Sequence, residues 1–329
     1  MNRFFDNHLF DKAKAKQSRR SDAPPPQWTP AVEQSHTFGR YEDATFDEYE
    51  EAERFCARHP VERPKLLPSD TVERLSREGC KPWGMRPPSS PRFKGSVESG
   101  VDGGGTGVTR VFTGKKCRDV CIFGDLPIMA GLYDIGGKQG VYYEVVIRKM
   151  KGIIAIGNNR PRRCSTEVHD IPPLLIPFTI GTTCLPYPDW RFPGWNRLSV
   201  GLHLDDFRKF YENPDGGRDY ETQGLLKKIS SGDSIGLGYE FASSSIFFTY
   251  NGVRLAKAFS GVYVPRDRYD VYAAIGVEGE NEFEVNFGAD VFRWKEGNDL
   301  AWKVEGHVGN FASSSGGGGD ELPSYQEAL

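Results

Sequence analysis

"GDSIGLGYEFASSSIFFTYNGVRLAKAF", residues 232–259, decides the fold. Its first five residues, Gly232-Asp233-Ser234-Ile235-Gly236, satisfy the G-x-S-x-G pattern of a serine nucleophile elbow. An elbow needs a strand before the serine and a helix after it, to hold the side chain on a strained turn. The residues after Ser234 have no helical periodicity. Gly232-Asp233 reads instead as a turn opening a strand, with Ser234, Gly236 and Gly238 on one face. Further along, "SIFFTY" and "VRLAKAF" flank Asn251-Gly252, the pair a type I′ hairpin turn demands because both central residues need positive φ. The stretch predicts hairpin-linked strands, and no catalytic residue is assigned.

Outward from it, the chain from Val108 is a series of short apolar runs broken by turn signals. "GVYYEVVIR", residues 140–148, alternates Tyr143, Val145 and Ile147 with Tyr142, Glu144 and Arg148, which predicts a half-buried strand. "GIIAIG" (152–157) predicts a fully buried one. "RLSVGLHL" (197–204) and "YAAIGVEGENEFEVNFG" (272–288) supply more. Many short strands without intervening helices predict an all-β fold, an antiparallel two-sheet sandwich. Helical signals come only before it. "FDEYEEAERFCARHP" (46–60) is acidic at its start, with Tyr49, Ala52, Phe55 and Cys56 at helical spacing, and stops at Pro60. "SDTVERLSREGC" (69–80) predicts a second helix capped by Ser69 and stopped by Gly79. The expected organisation is a disordered tail over 1–40, a helical lead-in and linker over 41–100, the sandwich over 101–296, and an extension over 297–329 containing a flexible Ser/Gly run.

Composition excludes several functions. The 329 residues carry a formal net charge of −3, and a near-neutral balance argues against a nucleic-acid partner, which requires a basic face. No apolar run approaches the roughly 20 residues of a membrane span. The N-terminus lacks the apolar core of a signal peptide, so a cytoplasmic location is expected. The six cysteines (56, 80, 117, 121, 164 and 184) form no C-x-x-C pair, and neither a metal nor a cofactor is expected.

"LPIMAG…GVYYEVVI", "WRFPGWNRLSVGLHLDD", "GDSIGLGYEF…IFFTYNG" and "FEVNFG" together resemble a SPRY domain, and the chain from about Asp43 to Leu329 is similar to the fungal SPRY adaptors of HECT-type ubiquitin ligases. The resemblance implies a bent two-sheet β-sandwich that binds a cargo or partner protein through its loops, without catalysis. It also implies a short proline-tyrosine motif that recruits the ligase's WW domains. The matching residues are Leu322-Pro323-Ser324-Tyr325, where the motif begins Leu-Pro instead of Pro-Pro. In that family, members sorted to endosomal or vacuolar membranes often carry an N-terminal membrane span. This sequence shows no such run, which favours a cytosolic relative, with contact at those membranes expected to be peripheral at most. The alternative is a SPRY scaffold subunit of a multi-subunit complex in which the tail has no role.

Physical chemistry supports the tail reading. Pro323 biases the chain toward polyproline II, so little entropy is lost on docking in an aromatic groove, and Tyr325 adds a stiff amphipathic ring. Within the sandwich, "PDWRFPGWNR" (188–197) concentrates Trp and Arg, the commonest interface hot-spot residues. Arg191, Trp195 and Arg197 are candidate partner-binding residues there, against a core role for Trp195. Asp205 and Asp206 are candidates for a basic partner segment, against a plain solvated turn; calcium would need more oxygens. The acidic run "YEDATFDEYEEAERF" is read as a solvated helix face before an interaction surface. Finally, "NNRPRRCSTEVHDIPPLLIPFTIG", residues 158–181, interrupts the family-like text. Joining Gly157 to Thr182 restores "IAIGTTCLPYPDWRFPGW". These 24 residues are read as a retained intron or a surface loop, poorly packed in either case.

Overall fold

The structure is a computed structural model and describes residues 46–100, 107–151, 178–213, 217–222, 224–262, 269–309 and 311. All of them lie in the unit Thr37–Leu329. The tail 1–40, the strand expected at 152–157 and the motif Leu322–Tyr325 fall outside the described residues.

Two antiparallel sheets form the body. The first runs, in spatial order, β1 (Gly95–Glu98), β2 (Thr109–Thr113), β13 (Asn281–Asn286), β4 (Gly140–Met150), β9 (Ser234–Glu240), β10 (Ser245–Tyr250) and β11 (Val253–Phe259). The second runs β3 (Val120–Phe123), β12 (Val271–Val277), β5 (Phe178–Cys184), β6 (Ser199–His203), β7 (Arg208–Tyr211) and β8 (Arg218–Asp219). Asn251 and Gly252 sit at φ 48° and 81°, and Tyr250 pairs with Val253 around them, so the Asn-Gly hairpin joins β10 to β11 as its sequence requires. Alternate residues of both sheets, among them Tyr143, Val145, Phe283, Ile180, Leu202 and Ile275, meet in the core between them. Phe178 packs edge-on to Phe283 at 4.9 Å, and the Tyr143 hydroxyl donates to the Gly181 carbonyl, which ties the sheets together.

Helices α1 (Phe46–Arg58) and α2 (Ser69–Glu78) precede the strands. Gly79 ends α2 at φ 62°, its N–H donating to the Leu75 carbonyl. Ser69 makes no side-chain cap. Pro68 holds the N-cap position, and Ser69 has become the first helical residue.

Two further expectations are corrected. Strand β4 is buried on both faces through Val145, not half-buried. The chain after β13 returns over the outer face: Phe292 and Trp294, near the expected end of the sandwich, and Trp302, beyond it, cluster with Tyr142 and Phe247. That cover also explains the glycines of β9. A Cβ on Gly236 would lie 2.5 Å from Tyr142 Cε2, and one on Gly238 2.7 Å from Phe247 Cε2, so these positions leave space for aromatic rings. Ser234 shares that face, fully buried in a strand. The second correction concerns 158–181. Its last four residues, Phe178–Gly181, are the buried first half of β5, hydrogen-bonded to β12 and β6; residues 158–177 lie outside the described residues.

Candidate partner-binding site

The outer face of the six-stranded sheet carries a groove. β3 pairs with β12 so that Phe123 lies opposite Ala274 and Cys121 opposite Gly276. Val120, Ile122, Ala273 and Ile275 turn into the core. The alternation leaves Cys121, Phe123, Tyr272 and Ala274 on the outer face. Tyr187 packs there against Cys121 and Ala274, its ring 6.3 Å from that of Phe123. The resulting cleft, about 670 Å³, has Phe123 and Tyr272 at its base.

Two loops wall it. Arg86 N–H donates to the Phe123 carbonyl (2.7 Å), anchoring Arg86-Pro87-Pro88-Ser89 on one side. Cys121 N–H donates to the Asp189 carbonyl (2.7 Å), anchoring Leu185–Trp190 on the other. Both bonds also satisfy the free edge of β3, which would otherwise invite pairing with another chain. Helix α1 closes one end, with Phe55 edge-on to Trp190 at 5.5 Å. At the rim Arg63, Lys65 and Arg86 face Glu62, Asp189 and Asp270. Burial pushes the Asp189 and Asp270 carboxyls above the usual range. Hydrogen bonds oppose this, from Ser90 to Asp189 and from the Gly131 and Lys65 amides to Asp270. The groove is therefore aromatic and proline-lined with a mixed-charge rim, a lining suited to an extended peptide segment.

Of the residues singled out in "PDWRFPGWNR", Arg191 and Trp195 are buried and Arg197 is half-buried. Arg191 is 1% exposed; its guanidinium stacks 4.5 Å from the Trp195 ring, and its Nε donates to Asn196 Oδ1 (3.0 Å). Trp195 packs on Phe192 at 5.1 Å. Arg197 donates to the carbonyls of Cys56, His59 and Pro186, and Asn196 to Glu53 (2.9 Å), so this loop clamps α1. Arg197 and Asn196 thus serve an internal partner, α1, while Arg191 and Trp195 stack on each other. Asp205 is half-buried, and its carboxyl is pushed above the usual range by burial. Asp206 is exposed and accepts from the Arg208 N–H (2.9 Å), as in a polar turn. The acidic face of α1 is partly paired, Glu50 with Arg54 (2.5 Å) and Glu48 with Arg92 (3.1 Å). Trp190 lies within the quoted 188–197 stretch, whereas Arg86, Phe123, Tyr187 and Tyr272 are groove residues that no sequence signal assigned. The local signal is "YPDW" (187–190), two aromatics around a proline, which overlaps that stretch.

Residues 140–290 match the SPRY domain family. The chain is 31% identical over 147 residues to Protein ssh4 of Sclerotinia sclerotiorum, covering 45% of this chain and 26% of that protein. It is 32% identical over 134 residues to a SPRY domain-containing protein of Schizosaccharomyces pombe, covering 41% of this chain and 32% of that one. A crystal structure of a human SPRY domain aligns with 21% identity and a TM-score of 0.36, over 59% of this chain and 97% of its own. The chain thus spans only about a quarter to a third of the curated relatives it matches.

Proposed function

The sandwich is a SPRY domain, a protein-interaction fold, and from that premise we propose that the chain is a non-enzymatic adaptor. The groove beside β3 takes an extended segment of a cargo protein, and Leu322-Pro323-Ser324-Tyr325 recruits WW domains of a HECT-type ubiquitin ligase. The observation that supports this most is a peptide-sized aromatic groove on the SPRY domain of a chain that also carries a proline-tyrosine motif behind a Ser/Gly run.

The tail is tested with the peptide "GDELPSYQEAL" titrated against isolated WW domains of a HECT-type ligase. Micromolar affinity is expected, about 8 kcal/mol, as suits a short segment that must be ordered on binding. Tyr325→Ala should weaken it about tenfold or more, the loss typical of a central anchor. Equal affinity of the two peptides, or no binding by the wild type at millimolar concentration, would leave the SPRY scaffold reading in its place.

A further inference from the structure

Strand β5 begins with Phe178-Thr179-Ile180-Gly181, and another tetrapeptide of the chain, Ile154-Ala155-Ile156-Gly157, meets the same demands. Ile180 is fully buried between the sheets, and Ile156 is identical. Position 181 must be glycine: a Cβ there would stand 2.8 Å from Pro193 Cβ and closer still to the Val200 carbonyl oxygen. Gly157 supplies it. Thr179 is fully buried with an Oγ1 that has no hydrogen-bond partner, and Ala155 would remove that stranded hydroxyl. Phe178 packs on Phe283, where Ile154 offers a smaller apolar side chain.

The connection between strands gives an independent measure. Met150, the last residue of β4, pairs with Asn281, while Phe178 pairs with Val277. Between Val277 and Asn281 the chain steps from one sheet to the other with three residues, Glu278, Gly279 and Glu280. From Met150, three residues, Lys151, Gly152 and Ile153, lead to Ile154. Lys151 already follows that bend, its N–H donating to the Glu280 carbonyl (3.2 Å) and its ammonium pairing with the Glu280 carboxylate (3.2 Å). A chain joined at Gly157–Thr182 therefore crosses alongside the β12–β13 bend and enters β5 in the register that Phe178–Gly181 now holds. It also replaces a connection longer than compact domains normally use with a tight one, which lowers the closure entropy.

We propose that residues 158–181 are an in-frame insert, and that a natural form of this chain 24 residues shorter builds β5 from Ile154–Gly157. The test compares the full chain with a variant deleted for 158–181, each with and without Gly157→Val. The deleted chain should be soluble and unfold cooperatively, with a Tm no more than about 5 °C below that of the long form. Gly157→Val should leave the long chain's Tm unchanged and abolish folding of the short one, because only there does residue 157 face the Val200 carbonyl. A short chain that aggregates, or one that tolerates Gly157→Val, overturns the register swap. Sequencing of transcripts from the source organism should show the junction at Gly157–Thr182; finding only the long form overturns the claim that the short form is natural.

Discussion

Ser234 and Gly236 lie two residues apart on one face of β9, yet a single added or removed group should act oppositely at each. Ser234 Oγ is fully buried without a partner, so Ser234→Ala should leave stability equal or raise it by about 1 kcal/mol. Gly236→Ala drives a methyl into Tyr142 and should cost on the order of 1–3 kcal/mol, the range for overpacking a filled core. Urea unfolding of both variants checks the pair; a large loss for Ser234→Ala would contradict the environment described for it. A second residue-level effect concerns pH. Burial, then the neighbouring Asp119 carboxyl, pushes Glu278 up to about 7. Between the ordinary glutamate value and about 7 the folded chain holds a proton that the unfolded chain has released. Stability should therefore fall as pH rises through that window and level off above it. Guanidinium titrations at pH 5 and pH 8 should show a smaller difference for Glu278→Gln than for the wild type. An unchanged or larger difference would refute the assignment.

At the scale of elements, the segment after β13 behaves as part of the sandwich. Trp302 is 4% exposed, its ring 5.6 Å from Phe247 and 5.0 Å from Trp294, and the Tyr142 N–H donates to its carbonyl (3.1 Å). Trp302→Ala should cost about 3–5 kcal/mol, read as a lower denaturation midpoint with an unchanged slope. A loss below about 1 kcal/mol would mean that the cover is dispensable. This element marks the limit of what the sequence could disclose. The β10–β11 hairpin was legible because Asn251-Gly252 encodes its turn within two residues. The full burial of Tyr142 and Glu144 was not, because it depends on residues some 150 positions later folding back. Arg197 shows the same limit. Its type suits an interface, and the carbonyls of Cys56 and His59, more than 130 residues earlier, take up its guanidinium. Local chemistry was readable; long-range cover was not.

At the scale of the molecule, the adaptor reading requires two recognition sites that work separately. The groove lies on a strand face and is held by backbone hydrogen bonds, while the proline-tyrosine motif is a linear segment that needs no fold to be recognised. Substitutions at sites that share no partners act additively, so each site should be lost alone. Trp190 is half-exposed at the groove wall and packs on Phe55, whereas Tyr325 belongs to the tail. In intact chains, Trp190→Ala should leave affinity for an isolated WW domain within about twofold of the wild type, and Tyr325→Ala should lower it about tenfold. Quantitative co-purification from the source cells should then separate two sets of proteins. Tyr325→Ala should lose the HECT-type ligase and keep the remaining partners, and Trp190→Ala should keep the ligase and lose those partners. If the ligase stays with Tyr325→Ala and leaves with Trp190→Ala, the sandwich is the ligase-binding element. The chain would then be a scaffold subunit joined through its groove, with no function for the tail.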